Sequence, residues 1–142
     1  VARLTDIGVK PFLTASAVRA IEAQRLVRKL FPDCKQPGQL STHELRSLGL
    51  EAAQMAESTI MSAVGCSKCR QRGFRGRMSI VEIFKINDEV RGMINQQLTT
   101  PQLRKRAREL GMRTLREDGI RKVLSGSTTA EEVIEATMSD AD

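Results

Sequence analysis

The sequence predicts a mostly α-helical fold with one short β element. Three observations predict it. Aromatic residues make up only 3% of the 142 residues, with no Trp and no Tyr, so Leu, Ile, Val, Met and Ala must build the core, as suits helix packing. Apolar residues recur at helical spacing between recognisable helix starts and stops. Alternation of apolar and polar residues is confined to RMSIVEIFKI, residues 77–86.

VARLTDIGVKPF opens with a short apolar piece and a turn, and Lys10, preceding Pro11, is expected to be extended. From Phe12 to Leu30 the spacing predicts a helix, with Leu13, Ala17, Ala20, Ile21, Gln24, Val27 and Leu30 near one face, stopped by Pro32. Residues 40–63 read as a helical insert. In it Ser41 and Glu44 form a capping box, a short helix runs from Thr42 to Leu48, and Gly49 ends it. EAAQMAESTIMSAV fits helix or loop, and residues 77–86 fit one or two short strands. Beyond them, Asn87 caps a helix carrying Val90, Met93, Ile94 and Leu98 on one face. Thr100 followed by Pro101 starts the next helix, with proline at its first position, and Gly111 stops it. Thr114 and Glu117 box the start of TLREDGIRKVL, which Gly126 ends, and Thr128 or Thr129 caps AEEVIEAT. The tail SDAD is expected to fray. There is no internal repeat and no low-complexity tract.

Hydrophobic residues at 40% and charged residues at 28% fit a globular chain and argue against disorder. No apolar run approaches the roughly 18–20 residues that span a bilayer, and no secretory signal is visible. The chain starts at Val1, so a fragment is expected, with motifs upstream of it. The net charge of +6 is interspersed with Glu and Asp along helical patterns. Even the densest cluster, LRKRAREL at 103–110, spreads around a helix, which points to solvated helix faces and subunit interfaces before nucleic acid.

Three cysteines without an oxidising-compartment pattern suggest the cytosol. Cys66 and Cys69 form a Cys-x-x-Cys pair followed by RQRGFRG and a strand, an order that favours a metal site over a redox pair, which would open a helix after a strand. A tetrahedral site needs a second half. Cys34 is the natural third ligand, and the position three residues before it, where its partner belongs, is Phe31, which cannot ligate a metal. Three arrangements remain open: zinc on the three thiolates with the single histidine, His43; zinc on three thiolates and water; or three reduced thiols with Phe31 packed where the metal would sit. The last is the bland reading and is favoured, and His43 in a capping segment reads as a surface residue.

RLTDIGVKPF, AQRLVRKLFPDC, GCSKCRQRGFRGRMSIVEIF and ELGMRTLREDGIRKVLSGSTTAEEV, in that order, resemble the C-terminal portion of the motor ATPases of type II secretion and type IV pilus assembly. The resemblance covers nearly the whole chain and is weakest over residues 39–63. It implies a cytoplasmic, hexameric ATPase with a RecA-like motor domain that works through platform partners at the inner membrane. It also implies a division into the end of a RecA-like core (1–30), a cysteine subdomain with its insert (31–86) and a C-terminal helical bundle (87–142). The family's four-cysteine zinc site would map to Cys34, Cys66 and Cys69, with Phe31 in the first position, a departure that counts against bound zinc. Gln24 and Arg25 match the family's Gln-Arg-Leu near the nucleotide domain, where an arginine could meet a phosphate or an acidic neighbour, although an ion pair fixing its own helix is the plainer role. Arg113, Arg116, Glu117 and Asp118 fit a subunit-interface network and a set of caps and intrahelical pairs equally well. No G-x-x-x-x-G-K-[ST] loop occurs in the chain, so ATP and Mg²⁺ are expected only in the full-length protein, and this chain alone should not hydrolyse ATP. A zinc-ribbon-like nucleic-acid-binding module is the rival reading. The absence of Tyr and Trp for base stacking weighs against it, and no nucleic-acid partner is expected.

Overall fold

Local chemistry fixes most helix ends. In the computed structural model, which describes residues 1–51, 55 and 58–138, Ser41 Oγ accepts from Glu44 N–H while the Glu44 carboxylate accepts from Ser41 N–H. Gly49, at φ +65, ends that helix in the left-handed conformation that glycine enters without strain. Asn87 Oδ1 accepts from Val90 N–H, and Thr114 and Glu117 cap reciprocally as expected. The cap of the last helix is Thr129, and the cap before Pro101 is Thr99, which places the proline one residue later than predicted.

The helices are α1 (Ala2–Asp6), α2 (Pro11–Ala17), α3 (Thr42–Leu48), α4 (Asp88–Asn95), α5 (Thr100–Glu109), α6 (Leu115–Leu124) and α7 (Ala130–Ala136). The strands are β1 (Ala20–Leu30), β2 (Gln36–Pro37), β3 (Met61–Ser62) and β4 (Phe74–Lys85). β1 pairs with β4, and β2 pairs with β3 antiparallel, Gln36 opposite Ser62 and Pro37 opposite Met61. Hydrogen bonds from Ile86 N to Arg19 O and from Phe31 N to Gly73 O, both 2.9 Å, frame β1 and β4 as an antiparallel pair.

The fold is therefore mixed α/β, with far more strand than one short element. The expected helix from Phe12 to Leu30 is corrected by this pairing. α2 stops at Ala17, and residues 20–30 form an 11-residue strand. The fully buried residues of β1, Val27 and Leu30, stand three apart and so imitate a helical stripe. Ile21, which the expected helical face would bury, stays exposed, as does Leu26. A two-stranded ribbon shields its residues unevenly, so alternation is weak, and pairing with a partner some fifty residues away overrides the local pattern. The expected strand at 77–86 begins earlier, at Phe74. Part of EAAQMAESTIMSAV and all of SDAD lie outside the described residues, and within the former Met61–Ser62 is strand.

The chain divides into two compact units, each drawn from two segments: residues 1–23 with 82–113, and residues 24–81 with 114–142. In the first, α2 packs on α4, and Ala15, Ile86, Val90, Ile94 and Leu103 form the buried cluster. Each large aliphatic there contributes about 1.5–3 kcal/mol by leaving water. Arg91 Nε donates to Ala15 O at 3.1 Å and ties the two helices, and Arg106 on α5 pairs with Glu89 at 2.6 Å.

In the second unit, Leu48, Val123, Ala130 and Val133 form a cluster where α3 and α6 meet α7. Gly119 lets α6 approach closely, since a Cβ there would lie 2.4 Å from Val133 Cγ1. β1 is locked to α7 by charge. Arg28 donates to Glu132 through Nε (2.8 Å), Nη2 (2.6 Å) and its backbone N–H (2.8 Å), while Thr128 Oγ1 donates to Arg28 O at 2.8 Å. β4 is held to α6 in the same manner. Asp118 accepts from Val81 N–H at 3.0 Å and from Lys122 Nζ, which also donates to Ser79 O at 2.7 Å.

Burial alone would raise both carboxyls, but bonds from Arg28 hold Glu132 below the usual carboxylate range, and Lys122 and Val81 N–H do the same for Asp118. Carboxyls depressed in the folded state stabilise it above their unfolded pKa values, near 4, and that gain is lost as pH falls through the lower folded values. Arg28→Ala leaves Glu132 only the backbone N–H of residue 28 and is expected to cost about 1–3 kcal/mol, read as a lowered melting temperature at neutral pH. Glu132→Gln is expected to flatten the fall of melting temperature between about pH 5 and pH 2.

Candidate metal centre

Two turns, each closed by a bond from a cysteine N–H to the carbonyl three residues before it, face each other in the second unit. In the first, Cys34 N–H donates to Phe31 O at 3.2 Å and Lys35 N–H to the same oxygen at 3.0 Å. In the second, Cys69 N–H donates to Cys66 O at 3.2 Å and Gln71 N–H to that oxygen at 2.9 Å. Phe31 thus stands in its turn where Cys66 stands in the other. The β2–β3 pair and the Phe31–Gly73 bond bring the turns together, and Lys68 on one reaches Asp33 on the other at 2.9 Å.

The result is a cluster of three sulfurs within 4.8 Å of one another. Cys69 Sγ lies 3.8 Å from Cys34 Sγ and 3.7 Å from Cys66 Sγ. Cys69, on the short 3-10 turn Ser67–Cys69, is buried, and its sulfur accepts the N–H groups of Cys66 at 3.1 Å and Gly73 at 3.2 Å. Such donors suit a thiolate. Burial pushes the Cys69 thiol up, but the two N–H groups and the neighbouring thiols outweigh it and bring it to about 7. Burial pushes Cys34 up to about 11, reinforced by Cys66 and Cys69 and opposed by the Gly65 backbone.

Gly73 is the hinge of this arrangement. It sits at φ +73, feeds its N–H to Cys69 and its carbonyl to Phe31, and a Cβ would lie 2.7 Å from Ala63 Cβ. Arg70 and Gln71 hold the turn with positive φ values of 56° and 59°, a conformation that bulky residues adopt only when surrounding bonds dictate it.

Cys34, Cys66 and Cys69 are therefore brought together as the sequence suggested. His43 is not. It occupies an exposed position in the first turn of α3 and does not belong to the cluster. Phe31 is 5% exposed, with the Arg75 guanidinium 5.4 Å from its ring centroid. Three thiols supply three corners of a zinc tetrahedron, and the matched turn puts an apolar ring at the origin of the fourth.

Gln24 and Arg25 lie exposed on β1, not on a helix, and Arg25 Nη1 donates to Gln24 O at 3.1 Å. The ion pair that fixes this segment belongs instead to Arg28 and Glu132, 104 residues apart, which no local signal in the sequence could reveal. Arg116 is spent within the chain, donating to Thr137 Oγ1 and to Ser47 O, and Asp118 pairs with Lys122.

Residues 1–135 match the family model described as type II/IV secretion system protein. The chain belongs to that family. This secretion-family chain is 41% identical over 137 residues to the type II secretion system protein E of Pseudomonas aeruginosa, covering 96% of the chain and 27% of that relative. It is 37% identical over 138 residues to the type IV pilus assembly ATPase PilB of Thermus thermophilus, covering 97% of the chain and 16% of the relative. Against the PilB of Myxococcus xanthus it is 36% identical over 141 residues, covering 99% and 25%. The chain thus spans between 16% and 27% of the length of these relatives. Among the described residues, no helix is long and apolar enough to cross a membrane.

Two outcomes test the site. Ultraviolet absorbance of the thiolate is expected to show one ionisation near pH 7 in metal-free protein, abolished by Cys69→Ser. Phe31→Cys is expected to convert weak zinc uptake into about one tightly held zinc per chain, with a melting temperature that rises on adding zinc. Unchanged uptake in that variant would show that position 31 does not face the cluster.

Proposed function

We propose that this chain is the C-terminal portion of a motor ATPase subunit serving type II secretion or type IV pilus assembly. The observation that supports it most is the pair of matched turns that gathers Cys34, Cys66 and Cys69 in a chain of the secretion family. The full-length protein is a cytoplasmic hexamer that hydrolyses ATP with Mg²⁺ and works against a platform protein at the inner membrane. In it residues 1–30 close a RecA-like core, 31–86 form the cysteine subdomain, and 87–142 form the helical bundle. This portion passes nucleotide-driven motion to neighbouring subunits and to the platform. Gln24 and Arg25, exposed on β1, lie at the edge of the nucleotide domain.

The cysteine subdomain has lost its first ligand, so it keeps its shape mainly through backbone bonds and packing. Where zinc binds, Cys34, Cys66 and Cys69 hold it, and its contribution is a cross-link between the two turns.

The reading is tested by expressing the 142-residue chain and its full-length parent side by side. The parent is expected to hydrolyse ATP and sediment as a hexamer, and this chain to do neither. A parent with no ATPase activity under any assembly condition would overturn the motor reading.

A further inference from the structure

The segment RQRGFRGR, residues 70–77, does more than carry the second turn into β4. Its four arginines, Arg70, Arg72, Arg75 and Arg77, line one open concavity of about 540 Å³ in the second unit, together with Phe74. Positive φ at Arg70, Gln71, Gly73 and Gly76 curls the backbone there. Two further cations at its wall already have carboxylate partners, Arg28 with Glu132 and Lys68 with Asp33. Among the described residues, none of the four arginines forms an ion pair.

Four uncompensated guanidinium groups in one hollow repel one another and concentrate anions. Two of them are held in place: Arg72 Nε donates to Cys69 O at 3.4 Å, and Arg75 lies over the Phe31 ring. Arg70 and Arg77 make no side-chain bond among the described residues and are free to fold onto a ligand. Arginine forks suit oxyanions bidentately. The volume falls among small-ligand clefts of about 300–1,000 Å³. A flat anionic surface reaches only the rim of a concavity, whereas linked phosphates place several charges inside it.

We propose that this concavity binds a small ligand carrying two or more linked phosphates. The inference rests on the arginine geometry and not on the motor reading or on zinc.

Isothermal titration of the whole chain with inorganic pyrophosphate tests it. Saturable binding of one pyrophosphate per chain is expected, weakening as salt rises. Arg70→Gln with Arg77→Gln should weaken it at least about tenfold without lowering the ligand-free melting temperature, since neither side chain holds the fold. The charge-matched control Arg3→Gln with Lys105→Gln should bind as the parent does. Equal binding by both double variants, or sulfate binding as tightly as pyrophosphate, would overturn the proposal. So would binding to phosphatidylglycerol vesicles or duplex DNA that pyrophosphate does not displace, which would assign the arginines to a membrane or a nucleic acid.

Discussion

The hydrogen bond from Phe31 N–H to Gly73 O closes one end of the β1–β4 pair, and the cysteine cluster hangs from it. With that bond in place, the turn carrying Cys34 begins beside the residue that ends the turn carrying Cys69. Gly73 serves both sides, since its N–H goes to the Cys69 sulfur while its carbonyl receives Phe31. A side chain here would strain the positive φ and collide with Ala63, so the position couples strand pairing to sulfur placement through one backbone unit. The same bond explains why Phe31 fits. Its backbone performs the turn's work whatever its side chain is, and the ring finds burial and a guanidinium face instead of a metal.

Around this joint, the second unit is held by charge as much as by apolar packing. Glu132 and Asp118 are buried carboxylates, each answered by a cation and by a backbone N–H from a strand. Such pairs add little net stability over apolar residues of the same shape, yet breaking one leaves a buried charge exposed to no partner. Their geometric effect is the important one: each fixes a helix to one register of a strand. Glu132 reads the backbone of Arg28 and Asp118 that of Val81, so a slip of one residue would lose both bonds.

Much of the charge on this chain is thus committed to the fold. The arginine run after Cys69 is not so committed: there the turn geometry that presents sulfur also collects guanidinium groups that form no ion pair among the described residues. Charge spread around a helix describes α5, where Arg106 pairs with Glu89 and Glu109, but not this segment. RQRGFRGR shows no helical period, and its arginines share a space only because the backbone curls.

The sequence by itself determined most of the helix caps and the set of cysteines that cluster. Ser41 with Glu44, Asn87, Thr114 with Glu117, and Gly49 act within three or four residues, so their bonds are written in local spacing. The same holds for Cys66 and Cys69, and for the family resemblance carried by short ordered motifs. Tertiary structure decided what depends on distant partners. β1 looked helical because Val27 and Leu30 are three apart, and only pairing with β4 makes it a strand. The Arg28–Glu132 lock spans 104 residues and leaves no periodic trace. Cys34 joins Cys69 across 35 residues because β2 and β3 pair between them, while His43 stays outside because α3 caps locally and presents it to water. Local bonds can be read from spacing, but long-range pairing is chosen by the free energy of the whole fold.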